Sequence, residues 1–71
     1  MNEHIKKAVD LFGSQKLLAD ACGVSQPAVF KWLSGSRIKP ENAAMVERVT
    51  AGKVTRRDLL PDFPWESQSA A

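Results

Sequence analysis

One stretch, residues 15–33, restricts the fold of this chain more than any other, because it holds two apolar segments at helical spacing with a glycine between them. Ala19 leaves room for a second helix to cross closely, and Gly23 can adopt positive φ, so the chain can leave one helix and turn at once. Ser25 can cap the next helix, and Pro27 is tolerated in its first turn. The stretch therefore predicts a helix-turn-helix, whose second helix can enter the major groove of DNA.

Apolar spacing and capping residues predict an all-α fold of five short helices. The predicted helices run from Glu3 to about Phe12, from Gln15 to about Cys22, from Gln26 to Ser34, from Pro40 to the turn at Gly52, and from the Thr55 cap to Leu60. We expect residues 1–65 to form one DNA-binding domain and residues 66–71, which are small and polar, to form a flexible C-terminal tail.

Residues 48–55 allow a second interpretation. Their β-branched residues on either side of Ala51 and Gly52 could pair as a β-hairpin. Pro40 begins a helix upstream, however, and an Ala-Gly pair is a poor primed turn. The sequence favours the helical interpretation and leaves the hairpin open.

Charge is distributed unevenly along the chain. The whole sequence holds 10 Lys and Arg against 8 Asp and Glu, a net charge of +2. Between residues 13 and 40 the charged side chains are Lys16, Asp20, Lys31, Arg37 and Lys39. A basic face around the turn motif favours phosphate binding, since counterion release supplies the sequence-independent part of DNA affinity.

Several classes of function are disfavoured by the composition. The single cysteine, Cys22, excludes an internal disulfide and a cysteine-rich metal site, and it suits a reduced, cytoplasmic setting. No apolar run reaches the roughly 18–20 residues of a membrane span, and no signal peptide is visible. No paired carboxylates, Cys–His pair or metal-ligand spacing is present. We therefore expect no enzyme activity, no cofactor, no metal, no membrane partner and no small-molecule substrate.

The third predicted helix carries the residues that could read DNA. Val29, Trp32 and Leu33 point into the core. The residues expected to face the bases are Ser25, Gln26, Pro27, Ala28, Phe30 and Lys31. Gln26 can contact adenine with two hydrogen bonds, and Lys31 can donate to guanine or to a phosphate. The three apolar members offer only apolar contact, and for Phe30 packing at the rim of the core is the alternative.

Phosphate contacts are expected on both sides of this helix. Gln15 and Lys16 lie at the start of the second helix, where free N–H groups and the helix dipole favour an anion. Arg37 and Lys39 lie in the loop after the third helix, and Asn42 lies near the start of the fourth. Such contacts position a protein on DNA without reading its sequence.

Two segments resemble a known family. The turn motif resembles the helix-turn-helix of small phage Cro repressors in Gln15, Ala19, Gly23, Val24, Ser25, Val29 and Trp32. Residues 47–62, ERVTAGKVTRRDLLPD, look like the YdaS-like branch of that group, and the resemblance covers residues 3–65. It implies a lambda-repressor-like helix-turn-helix fold and a repressor that binds double-stranded operator DNA. Pro27 and Phe30 depart from positions that are often polar in Cro proteins, so hydrogen-bonded readout should be sparser.

The C-terminal segment offers a candidate contact between two copies of the chain, because one helix-turn-helix reads few base pairs. The apolar residues expected at this dimer interface are Leu59, Leu60, Phe63 and Trp65. Alternatively the segment folds back over its own core, or Leu59 turns inward while Trp65 stays available. We expect a weak homodimer that tightens on DNA. An antitoxin-like helical protein-interaction module is the alternative function.

Overall fold

The computed structural model describes residues 1–65, which form five helices and, within that range, no strand. The helices are α1 (Glu3–Phe12), α2 (Gln15–Cys22), α3 (Gln26–Ser34), α4 (Pro40–Val49) and α5 (Arg56–Leu59). The all-α prediction is confirmed, and residues 48–55 end α4 and lead into α5 instead of pairing as a hairpin. The predicted tail, residues 66–71, lies outside the described residues.

The boundary after α4 differs from the prediction by a few residues. The helix ends at Val49, three residues before the glycine that was expected to end it. The N–H of Thr50 still bonds to the Val46 carbonyl at 3.1 Å, but Ala51 and Gly52 both have positive φ, 55° and 81°. Because two consecutive left-handed residues cannot continue an α-helix, the chain turns before Gly52.

Side-chain caps explain why most of these helices begin where they do. The hydroxyl of Ser14 accepts the N–H of Leu17 at 3.1 Å, and that of Ser25 accepts the N–H of Ala28 at 3.3 Å. Asn2 caps α1 in the same way, and Thr55 forms a capping box with Asp58 at the start of α5. These bonds satisfy N–H groups that have no partner within the helix.

The core joins all five helices. Its buried apolar residues are Ile5, Ala8, Leu18, Ala19, Cys22, Val29, Trp32, Ile38, Ala43, Val46, Val54, Leu59, Leu60 and Trp65. Burial raises the pKa of the Cys22 thiol, which keeps it in the unreactive protonated form. The N-terminus is tied to this core through α3, since the N–H of Asn2 donates to the Leu33 carbonyl at 2.9 Å.

The C-terminal segment folds back over its own core. Trp65 is 6% exposed, and its indole N–H donates to the Leu60 carbonyl at 2.9 Å. Its ring lies 4.5 Å from that of Phe63 between centroids and 5.4 Å from the guanidinium of Arg56. The expectation that Trp65 stays available for a partner is therefore wrong, because the ring is enclosed and its one donor is satisfied. Leu59 and Leu60 are buried too, which leaves Phe63 partly exposed.

Thr50 holds the turn between α4 and α5. Its side chain is buried, and its hydroxyl donates to the Val46 carbonyl at 2.8 Å and accepts the N–H of Val54 at 3.2 Å. Val54 is fully buried, so its N–H has no access to water. One hydroxyl therefore closes the end of α4 and satisfies the backbone that leads to α5.

Glu47 ties the same turn to α5. Its Oε1 accepts the backbone N–H of Arg56 at 2.7 Å and the Arg56 guanidinium at 3.1 Å. The backbone hydrogen bond is the main cause that lowers the pKa of Glu47, and the positive charges of Arg56 and Arg57 lower it further, while burial acts in the opposite sense. The ionised form of Glu47 is thus the one that stabilises the fold.

Replacing Thr50 with valine keeps the shape of the side chain and removes the hydroxyl. We expect Thr50→Val to lower the free energy of unfolding by about 1–3 kcal/mol, since it leaves the Val54 N–H buried without a partner. Urea unfolding followed by circular dichroism measures the change. Ser34→Ala is the control, because the Ser34 hydroxyl also bonds to a helix carbonyl but is exposed. An equal loss in both variants would contradict the role of Thr50.

Acid should weaken the α4–α5 turn through Glu47. Its pKa is lower in the folded chain than the ordinary value of 4.5, so its stabilisation is complete above that value and is lost as the pH falls through the folded pKa. We expect the free energy of unfolding of the native chain to fall more steeply below about pH 4.5 than that of Glu47→Gln. Urea titrations at a series of pH values test this, and parallel curves for the two proteins would refute it.

Candidate nucleic-acid interface

The turn between α2 and α3 fixes how α3 is presented. Gly23 is left-handed, with φ of 72°, and the N–H of Val24 donates to the Ala19 carbonyl at 3.0 Å, which closes the end of α2. Two residues later the Ser25 hydroxyl begins α3. Ala19 of α2 and Val29 of α3 are almost fully buried in the core that the two helices share. The first turn of α3 consequently stands on the surface.

The exposed face of α3 consists of the residues predicted to face DNA. Ser25, Gln26, Pro27 and Lys31 are exposed, and Ala28 is half-buried. Phe30 is 57% exposed, so it does not pack at the rim of the core as the alternative proposed. On the opposite face Val29 and Trp32 are buried and Leu33 is half-buried. The positions of these side chains agree with the predicted geometry, while their contact with DNA stays a prediction.

A groove beside α3 brings most of the predicted base-facing and phosphate-binding residues together. Its volume is about 320 Å³. The residues that line it are Ser25, Pro27, Ala28, Lys31, Trp32, Ser36, Arg37, Lys39 and Asn42. Cations from α3 and from the α3–α4 loop therefore share one concave surface with the start of α3. Ser36 was not among the residues predicted to contact DNA. Its position between the end of α3 and Arg37 is the sequence feature that could have indicated it.

A second groove lies where the first turns of α2 and α3 meet. Its volume is about 340 Å³, and it is lined by Gln15, Gln26, Pro27 and Phe30. Gln15 thus belongs to the surface that α3 presents, next to Gln26. Lys16 follows it, exposed on α2.

The cations around α3 differ in their surroundings. Lys31 and Lys39 make no ion pair within residues 1–65. Lys16 lies 3.2 Å from Asp20, and Arg37 lies 3.4 Å from Asp62. In both pairs each side chain is more than half exposed, so the ion pair contributes little stability. Each cation can therefore exchange its carboxylate partner for another anion.

The start of α4 is a less favourable anion site than predicted. This helix has no side-chain cap, and Pro40 supplies no N–H group. The N–H of Asn42 is already bonded to the Lys39 carbonyl at 3.0 Å, and the carboxylate of Glu41 lies in the same turn. Any contact of Asn42 with a phosphate must therefore come from its side chain, which lines the 320 Å³ groove.

The part of the chain that the structure describes offers no group of three or more His, Cys, Asp or Glu residues that could hold a metal ion. None of the helices in residues 1–65 has the length and apolar character needed to cross a membrane.

Comparison with protein families identifies the group to which the sequence belongs. A family described as "Bacterial toxin YdaS" matches residues 5–68, which is nearly the whole chain. The chain belongs to the YdaS family. No solved structure gives a significant match. The match confirms the YdaS-like resemblance and extends beyond the turn motif to the C-terminal segment.

Two relatives connect this YdaS-family chain with regulation. It is 38% identical over 65 residues to the "Putative transcriptional regulator YdaS" of Escherichia coli strain K12, covering 90% of the chain and 66% of that protein. It is 39% identical over 66 residues to the "Regulatory protein cro" of Pseudomonas phage D3, covering 92% of the chain and 90% of that protein. The chain thus spans about two thirds of the first relative and nearly all of the second. Both names support a regulatory role.

Proposed function

We propose that this chain is a sequence-specific transcriptional repressor of phage or prophage Cro type, which binds operator DNA with α3 in the major groove. The observation that carries the proposal is the 320 Å³ groove, which is lined by Lys31 of α3 together with Arg37 and Lys39 of the next loop. Readout needs an exposed helix face, and affinity needs cations that reach the phosphates beside it. The bacterial cytoplasm, at the nucleoid, is the setting that this function implies.

The two classes of contact are divided among named residues. Gln26 reads adenine, Lys31 donates to guanine, and Ser25, Pro27, Ala28 and Phe30 complete the base-facing surface. Gln15, Lys16, Arg37, Lys39 and Asn42 hold the phosphates. Lys31 and Lys39 are available without breaking an ion pair within residues 1–65, whereas Lys16 and Arg37 exchange a carboxylate for a phosphate.

Two copies on adjacent half-sites would give the specificity that one short helix lacks, so we retain the weak homodimer as part of the proposal. Its contact surface has to differ from the one predicted. Leu59, Leu60 and Trp65 fill the chain's own core, and only Phe63 of that set keeps part of its surface exposed. A palindromic binding site with half-sites about 34 Å apart would support a dimer on DNA.

A protein-interaction role is the second candidate, because the family is described as a bacterial toxin. A toxin or an antitoxin-like module would act through contact with another protein. Such contact does not require the cations Lys31, Arg37 and Lys39 to lie near an exposed Gln26. The variants described next separate the candidates when they are also expressed in bacteria. Growth inhibition that persists after DNA binding is lost would favour the protein partner.

Loss of the hydrogen-bonding side chains of α3 should weaken recognition of the preferred sequence. The site is first obtained by selection from random duplex DNA. We then expect Gln26→Ala and Lys31→Ala each to lose about 1–3 kcal/mol of specific binding free energy, measured by fluorescence anisotropy. Lys53→Ala is the control, since Lys53 is exposed in the turn between α4 and α5 and lines neither groove beside α3. Unchanged specific binding in both α3 variants would refute the assignment of α3.

Arg37 should act on all DNA sequences alike. We expect Arg37→Ala to weaken specific and random duplexes by the same factor and to reduce the slope of log affinity against log salt concentration by about 1. Asp62→Asn tests the ion pair from the other side, because it frees the guanidinium and should strengthen binding to both duplexes. A loss confined to the selected sequence would contradict a phosphate contact.

A further inference from the structure

Phe30 is the residue of the exposed α3 face that hydrogen-bonded readout leaves unexplained. Its ring is 57% exposed, although a phenylalanine gains most from burial. It shares the 340 Å³ groove with Pro27, Gln15 and Gln26. Two apolar rings and two amide side chains thus form one surface.

The two grooves beside α3 differ in charge. The 320 Å³ groove has three cations in its lining, Lys31, Arg37 and Lys39, whereas the 340 Å³ groove has no charged side chain in its lining. A groove without cations gains little from a phosphate. Whatever it binds must offer apolar surface to the rings and hydrogen-bonding groups to the amides.

An A·T pair offers this combination in the major groove. Adenine presents its N7 acceptor and N6 donor, and thymine presents the O4 acceptor and the C5-methyl group. The amide of Gln26 matches the adenine pattern, with one donor and one acceptor in a plane. The methyl group is the apolar feature of the major groove, and it distinguishes thymine from both cytosine and uracil.

We propose that the 340 Å³ groove reads a 5-methylpyrimidine, with the methyl group of a thymine packed against Phe30 and Pro27 and Gln26 bonded to a neighbouring adenine. This inference rests on the proposed function and names its base-level ligand. Phe30 is then a specificity-determining residue. Its cost as an exposed ring in the free chain is recovered when the methyl group covers it.

Uracil substitution tests the inference, because uracil lacks only the methyl group. In the duplex obtained by selection, each thymine is replaced in turn by uracil, and affinity is measured for the native chain. We expect one thymine in each half-site at which uracil weakens binding about three- to fivefold, the effect of burying one methyl group. The same position is then tested with cytosine and with 5-methylcytosine. The methylated base should bind more tightly than cytosine by a similar factor.

The Phe30→Ala variant assigns the effect to the ring. In Phe30→Ala we expect most of the preference for thymine over uracil at that position to be lost, because Pro27 alone covers less of the methyl group, while Gln26→Ala keeps the preference for thymine. Leu17→Ala is the matched control, because Leu17 is also an exposed apolar residue, 52% exposed, but lies outside the groove lining. It should behave like the native chain.

The outcomes separate this inference from the function on which it rests. Equal binding of thymine and uracil at every position by the native chain overturns the inference, and this arm requires no variant. A uracil penalty that is undiminished in Phe30→Ala overturns it as well, because the methyl group would then be read by another residue. Selective DNA binding with either result leaves the repressor function standing, whereas a selection that enriches no sequence overturns both.

Discussion

The close packing of α2 against α3 is the contact on which the remaining structure depends. Ala19 and Val29 are both buried in the core that these two helices share, and the left-handed Gly23 lets the chain pass from one helix to the next within three residues. A larger side chain at Ala19 would separate the helices and tilt α3. The surface at the start of α3, with its two grooves, exists because this crossing holds the helix outward.

Much of the fold could be predicted from local signals, since caps and apolar spacing act within a few residues of the chain. Ser14 and Ser25 begin helices through hydrogen bonds to the third residue after them, and Val29 and Trp32 lie on one face by periodicity alone. The exposed face of α3 follows from the same periodicity. The end of α4 was missed by a few residues because the left-handed turn starts at Ala51, a residue type with no preference for positive φ, and because Thr50 closes that turn through a buried hydroxyl.

Contacts between distant segments could not be predicted in the same way. The sequence left Trp65 equally suited to a partner and to its own core, and the choice is made by the Leu60 carbonyl and the Arg56 guanidinium. Neither interaction has a periodic signature. The pairing of Arg37 with Asp62 spans 25 positions and could not be predicted from the charge pattern, which indicated a basic region between residues 13 and 40 but not that Arg37 lies beside Asp62.

The Arg37–Asp62 pair has a consequence for how long the chain stays on DNA of any sequence. A cation that already has a carboxylate partner gains less when it contacts a phosphate, so the attraction to the DNA backbone is reduced at that point. The reduction applies equally to the operator and to bulk DNA and leaves the ratio of the two affinities unchanged. In the proposed repressor the pair would therefore shorten the residence time on both, while discrimination between them stays with the base-facing residues of α3.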